Sequence, residues 1–351
     1  MTKTGNLVIG LAAVLASTSV FMQSQTPVAP QSDQNTKIAE AYQQWKRKYG
    51  RLYASPKEND YRKDVFTNNY IKVEGVNKQE LSYKFSLNKF ADLTPQEIQA
   101  KYFGLGSVKE LQKSRRVLAE DQALIALGNV EPVIHKDWHK EDALNDVLHQ
   151  GGCGACYSFS TTIALEHLYF LKFNQKIKLS EQELVDCSKG HGNTGCKGGW
   201  MHQAFDYVIQ NNGMQLASTY PYMAIEGQFC RQNHDRNVKN LLSRYVQIPE
   251  NNNEMIRRAL HNSLVPSAVD ARDLAFYSSG VYDNRECGND INHAIVIVGY
   301  GVNFEGKKYW KVRNSWGAEW GSNGYFKLIR DDGTTPGICG ITAYNVYPIG
   351  A

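Results

Sequence analysis

Cysteine is missing from the first 152 of the 351 residues, and all seven that occur lie between Cys153 and Cys339. The chain is therefore chemically two-part, and a disulfide framework can involve only its second part. A one-signed charge surplus is also lacking. Lys+Arg 39 against Asp+Glu 35 leaves a net +4, and no run of five or six basic residues occurs, so nothing points to nucleic acid. Beyond the N-terminus no stretch is long and apolar enough to span a bilayer, and no Asn-x-Ser/Thr sequon offers a handle for glycan-dependent sorting. Glycine (29) and proline (10) are too few for a low-complexity polymer. With 42% hydrophobic residues the length suits a globular chain of roughly two domains.

What is present begins with Lys3 followed by an apolar stretch from Leu7 to Ala16 and the small residues Ser17, Thr18 and Ser19. This reads as a signal peptide over residues 1–24, too short for a stable membrane anchor. Export permits disulfides, and an odd cysteine count suggests paired cysteines plus one free thiol. Ile38, Tyr42, Trp45 and Tyr49 fall on one helical stripe that Gly50 ends, and Ser55-Pro56 with Glu58 opens a second helix whose apolar face is Tyr61, Val65, Phe66, Val73 and Val76. Residues 83–90 alternate as an edge strand would, and Thr94-Pro95 starts a short helix. From Gly104 to Gly128 the pattern weakens, and Lys113 to Arg116 suits a processing protease. A helix is expected over about 156–173. The last third, with HAIVIVGYG, KYWKVRNSW and GYFKLI, is β-rich and argues for an antiparallel sheet or barrel.

Chemistry concentrates in Gln150-Gly-Gly-Cys153-Gly-Ala-Cys156-Tyr157, which fits the cysteine-protease signature C-G-[SA]-C-[WY]. Cys156 at a helix start would have its thiolate favoured by unsatisfied N–H groups and the helix dipole. Downstream stand Asn292-His293-Ala294 before VIVGYG and Arg313-Asn314-Ser315-Trp316-Gly317. Taken singly, each has an ordinary reading: a redox or structural C-x-x-C pair, a packed histidine, a turn asparagine. Together and in order, they make the chain resemble a papain-family cysteine protease of the cathepsin L type, over about residues 37–351.

That resemblance implies Cys156 as nucleophile, His293 as general base and acid, Asn314 as the group orienting the imidazole, and Gln150 as oxyanion donor with the Cys156 N–H. It implies the disulfides Cys153–Cys196, Cys187–Cys230 and Cys287–Cys339, leaving Cys156 free. Glu58, Arg62, Phe66, Asn69, Val73 and Asn77 match a propeptide helix pattern, with Val73 in place of Ile. Asn88, Phe90 and Asp92 match a second pattern in which Ser86 replaces Gly. The expected layout is an α+β, two-lobed papain-like fold. An inhibitory helical propeptide over 25–125 precedes a mature protease over 126–351, with a mainly helical lobe (132–240) around the nucleophile helix and a barrel-like antiparallel β lobe (241–351).

By the same resemblance Gly198 and Gly199 would pair with extended substrate, and Met201, Ala268, Ala294 and Tyr344 would line the pocket for the second residue before the cut, with Tyr344 shortening it. Tyr157 stands for the usual Trp, and Asn292 for a common Asp, which removes a local charge beside His293. No His-rich insertion lies between Cys196 and Cys230, so an endopeptidase is expected, acting on proteins and peptides, inhibited by its own propeptide, monomeric, and needing neither cofactor nor metal. Its destination would be a lysosome-like acidic compartment or the exterior. The rival readings are a non-catalytic papain-like binding homologue and a thiol-disulfide oxidoreductase using Cys153 and Cys156; the latter has no use for Asn314.

Overall fold

The computed structural model describes residues 1–2, 31–106 and 133–351, so the expected signal peptide beyond Thr2 and the basic stretch at 113–116 lie outside the described residues. The aromatic stripe of the N-terminal region forms α1 (Gln31–Lys48), which packs Tyr42 and Trp45 against Phe66 of α2 (Pro56–Asn77), with ring centroids 5.2 and 5.3 Å apart. The Ser55 hydroxyl accepts from the Glu58 N–H at 3.2 Å and caps α2. The buried stripe of α2 runs through Val65, Phe66, Asn69 and Val73. Tyr61 lies about a quarter-turn to its side, is 48% exposed, and carries the Arg62 guanidinium over its ring, so it is not part of the apolar face expected for it.

The alternating stretch pairs only as β1 (Tyr83–Phe85). After it the Phe90 N–H turns back to the Asn88 side chain at 3.0 Å, and the Ala91 N–H to the Asn88 carbonyl at 3.1 Å, which ends the extended run before Phe90. Ser86 in the expected glycine position costs nothing, because its N–H continues the pairing to the Phe276 carbonyl at 2.8 Å. α3 (Pro95–Tyr102) starts on a reciprocal capping box between Thr94 and Glu97.

The C-terminal region opens with β2 (Lys136–Asp137), enters the helices α4 (Cys156–Phe173), α5 (Glu181–Cys187) and α6 (Met201–Gln210), and passes the short pair β3 (Met214–Gln215) and β4 (Asn237–Val238). It ends in β5 (Arg244–Ile248), α7 (Asn253–Asn262), β6 (Val265–Val269), β7 (Tyr277–Tyr282), β8 (His293–Val302), β9 (Lys308–Arg313), β10 (Tyr325–Ile329) and β11 (Asn345–Ile349). The sheet runs β1-β7-β10-β9-β8-β6-β11-β5, with β2 also paired to β8. Its end strands β1 and β5 do not pair, so the sheet is no closed barrel, and β7–β10 is a parallel pair within otherwise antiparallel neighbours.

Two features of this layout position the site. β1 adds an edge strand to β7, with Tyr83 opposite Gly280, so the N-terminal region shares one apolar core with the β half: Phe66 and Phe90 belong to the same cluster as Trp310 and Trp316. Burying each such aromatic contributes roughly 1.5–3 kcal/mol to holding the two together. The helical half has its own cluster, in which Cys156, Trp200 and Met201 meet Ala268, Ala294 and Tyr344 from the β half. The first three turns of α4 are buried all round, and Asn174 ends the helix in the left-handed conformation (φ 51°).

Candidate active site

Cys156 is the first residue of α4, and the N-cap residue Ala155 offers no side-chain cap, so the helix start directs uncapped backbone donors toward the thiol. It is the free cysteine; the other six form disulfides Cys153–Cys196, Cys187–Cys230 and Cys287–Cys339, with S–S distances of 2.05, 2.12 and 2.07 Å. His293 opens β8, and its Nε2 lies 2.8 Å from the Asn314 Oδ1, which also accepts the Ser315 N–H at 2.8 Å. The Trp316 ring covers the imidazole at 4.7 Å, shielding this hydrogen bond from water. His293 Nδ1 makes no hydrogen bond of normal geometry, although the Tyr102 backbone lies close enough to favour the protonated ring.

Gln150 is fully buried. Its Oε1 accepts from the Ser315 hydroxyl at 2.7 Å, which fixes the amide orientation, and its Nε2 donates to the carbonyls of Cys153 and Tyr102, both at 3.0 Å. Ser315 thus holds Asn314 through its backbone and Gln150 through its side chain. Tyr157 is buried at the helix start and donates to the Gly195 carbonyl at 3.3 Å.

The segment after α3 threads this cleft. The Gly199 N–H donates to the Gly104 carbonyl at 3.0 Å, the Gly106 N–H to the Gly199 carbonyl at 3.3 Å, and the Leu105 N–H to the Asn292 carbonyl at 3.2 Å, so Leu105 and Gly199 form a parallel bridge. A Cβ on Gly104 would stand 2.0 Å from the Gly154 carbonyl oxygen, so only glycine passes there. Leu105 packs against the cluster holding Met201, Ala268, Ala294 and Tyr344. Gly198 adopts φ 119°, and a Cβ on Gly199 would meet the Asn193 Oδ1 at 2.1 Å. That oxygen accepts the Trp200 N–H at 2.8 Å and props the glycine backbone.

Burial pushes the Cys156 thiol up to about 11, with the backbone of Ala294 and Gly104 partly offsetting it, and pushes His293 down to about 4 despite Asn314. With the segment in place, the pair is therefore neutral across the physiological range. Asn292, expected to lack a charge, is held by one: its Nδ2 donates to the buried Asp270 at 2.9 Å, whose carboxylate the Arg272 guanidinium grips.

A helix-borne free thiol, an imidazole fixed by an asparagine and a peptide segment lying across both form a recognisable set. Residues 134–349 match the papain family cysteine protease domain, and residues 42–98 match the cathepsin propeptide inhibitor domain. The chain belongs to the papain family of cysteine proteases. It is 39% identical over 310 residues to vignain of Phaseolus vulgaris, covering 88% of this chain and 84% of that one. To the KDEL-tailed cysteine endopeptidase CEP2 of Arabidopsis thaliana it is 39% identical over 318 residues, covering 89% and 86%. Among solved structures it resembles a recombinant stem bromelain precursor (TM-score 0.79, 35% identity, 89% of this chain, 98% of that one). It also resembles a digestive procathepsin L of Tenebrio molitor larval midgut (TM-score 0.76, 33% identity, 89% and 98%). The protease is a cysteine endopeptidase preceded by an inhibitor domain, consistent with a zymogen, and acts on peptides. Three disulfides suit the secretory pathway, and among the described residues no helix is long and apolar enough to cross a membrane.

Sequence reasoning gave no part in the site to Ser315 or Asn193 and, within the expected propeptide, did not single out the segment Tyr102–Gly106. The Gly104-x-Gly106 spacing just after a helix was the available signal for the last of these, since paired glycines mark close backbone approach.

Proposed function

We propose that the mature enzyme, over about residues 126–351, cleaves peptide bonds with Cys156 as nucleophile, His293 as acid and base, Asn314 as orienting group and Gln150 as oxyanion donor. The observation that carries this is the 2.8 Å contact between His293 Nε2 and Asn314 Oδ1, which leaves Nδ1 as the ring nitrogen available to exchange a proton with the thiol. The Cys156 sulfur attacks the substrate carbonyl, its proton having passed to Nδ1. The oxyanion then draws on the Gln150 Nε2–H and the Cys156 N–H, and Nδ1 returns the proton to the leaving amine. Water, deprotonated by His293, next releases the acyl group and restores the thiol.

Direction follows from the same reading. A substrate's acyl side, N-terminal to the cut, would lie along Gly198 and Gly199 with its second side chain among Met201, Ala268, Ala294 and Tyr344. The propeptide crosses the same ground from Tyr102 at Gln150 to Gly106 at Gly199, so it runs the opposite way and presents no carbonyl in the productive order. We assign residues 25–125 to the propeptide and 1–24 to the signal peptide, and the working form to a monomer in an acidic lysosome-like compartment or the exterior. Intact mass of acid-processed protein, with and without a thiol-directed epoxide, tests the assignment: one adduct on Cys156 supports it, and labelling elsewhere or none overturns it.

A further inference from the structure

The pocket proposed to receive the second side chain before the cut has a floor drawn from both halves of the molecule. Tyr344 precedes β11 on the β side, and its backbone carbonyl accepts the Ala268 N–H at 3.1 Å. His202 is the second residue of α6, on the helical side, and its Nδ1 lies 2.7 Å from the Tyr344 hydroxyl. Both side chains are buried, and Trp200 stands edge-on to the Tyr344 ring at 5.0 Å.

Two of the contacts on the phenol bear on its position. The Trp200 edge contact limits the ring on one side, and such a contact tolerates sliding because its energy depends weakly on angle. The hydrogen bond to His202 fixes the far end of the ring at one distance and direction. His202 is itself anchored, since Trp200 before it donates its N–H to the Asn193 Oδ1 at 2.8 Å and the Trp200 carbonyl accepts the Ala204 N–H at 3.1 Å. A tyrosine on this floor would otherwise have a choice of rotamers, some of which deepen the pocket.

We propose that His202 is a positioning residue for substrate selection: by holding the Tyr344 hydroxyl across the boundary between the two halves, it locks the pocket in its short form and makes the enzyme prefer Leu or Val over Phe. This deepens the pocket reading given under Proposed function and rests on it. His202 touches no substrate. The hydrogen bond to the Tyr344 hydroxyl is the contact that carries the proposed effect, so removing either end of it should relax the floor in the same way. Burial holds His202 down to about 4, which keeps the ring neutral, and its bond to Tyr344 unchanged, over the range in which such an enzyme would be assayed.

The test uses the full chain, acid-processed and titrated for active thiol, with fluorogenic peptides differing only in Leu or Phe at the second position before the cut. His202→Leu and Tyr344→Phe should each lower the Leu to Phe ratio of kcat/KM by about two- to tenfold, the range one net hydrogen bond supplies. The double variant should lower it no further than either single change, and His202→Asn, which keeps a polar partner, should recover part of the ratio. Additive effects, or a ratio moved by neither single variant while Tyr344→Ala does move it, would overturn the role of His202. A ratio unmoved by Tyr344→Ala would instead overturn the pocket reading itself. Should His202→Leu fail to fold, Tyr344→Phe and His202→Asn decide: an unchanged ratio with Tyr344→Phe refutes the proposal, and a lowered one that His202→Asn largely spares supports it.

Discussion

The Gln150 side-chain amide donates to the carbonyl of Tyr102 at 3.0 Å, so a propeptide peptide group occupies the donor assigned to the reaction's oxyanion. The same stretch buries Cys156 and His293, and burial drives both toward their neutral forms. Inhibition on this reading is electrostatic as well as steric, because a covered thiol and imidazole do not form an ion pair.

Thiol reactivity should report that state. A thiol raised to about 11 is almost wholly protonated at pH 6, so the unprocessed chain at that pH should react with iodoacetamide at least about a hundredfold more slowly than the processed enzyme. Alkylation followed by mass spectrometry gives both rates, and equal rates would refute the neutral-pair account.

Cys156→Ala should abolish hydrolysis while leaving the fold intact. Gln150→Ala should lower kcat by about 10²–10³-fold, the usual loss for one oxyanion donor. Asn314→Ala should lower activity through a misoriented imidazole. Steady-state kinetics on an unstructured peptide checks all three, and appreciable turnover by Cys156→Ala would defeat the assignment.

Acid should loosen the propeptide from within. The ion pairs Arg62–Glu97 at 2.8 Å and Arg51–Asp92 at 3.4 Å, and the Tyr53–Asp92 hydrogen bond at 2.9 Å, join the propeptide to itself rather than to the enzyme. Burial opposes ionisation of Glu97, but the Thr94 N–H and the Arg62 guanidinium outweigh it and hold the carboxyl below its ordinary range. A depressed carboxyl contributes stability above its unfolded value and loses it as pH falls through the native one, so this support weakens below the ordinary glutamate range and is gone once the depressed native value is passed. Glu97→Gln removes the ionised acceptor at every pH, costing about 1 kcal/mol at the helix start. Processing followed on gels from pH 7 to 3.5 should then begin at a higher pH, and an unshifted profile would count against the scheme.

Phe90 is fully buried between Tyr102 at 4.9 Å and the enzyme's Trp316 at 5.3 Å, while the neighbouring Lys89 ammonium donates to the Trp316 carbonyl. Phe90→Ala should cost about 3–5 kcal/mol, much of it in docking the propeptide. The intact variant chain should show measurable peptidase activity at neutral pH before any cleavage, and the parent chain should show almost none.

Substrate preference gives the last check. Tyr344→Ala should raise the Phe to Leu ratio of kcat/KM by roughly 10-fold or more, the scale on which a pocket responds to lost methylenes. A wild-type preference for Phe would contradict the short pocket.

Local patterns carried much of this protein. The stripe from Ile38 to Trp45, the caps at Ser55 and Thr94, and the start of α4 at Cys156 rest on neighbours within a few residues, and a reader of the chain finds them directly. The cysteine, histidine and asparagine motifs were equally legible, since each has its own flanking sequence. Tertiary structure alone decided what lay between distant segments. Tyr61 is helical yet exposed because α1 and the β half cover a stripe to its side. The alternating run ends short of Phe90 because the Asn88 side chain and carbonyl turn the backbone back. The short segment Tyr102–Gly106 takes its place in the cleft from Gln150, Gly154, Gly199 and Asn292, and the Tyr344 hydroxyl meets His202, 142 residues away. Propensity and capping act over one helical turn, whereas a shared pocket or a threaded cleft depends on packing between segments that no local pattern encodes.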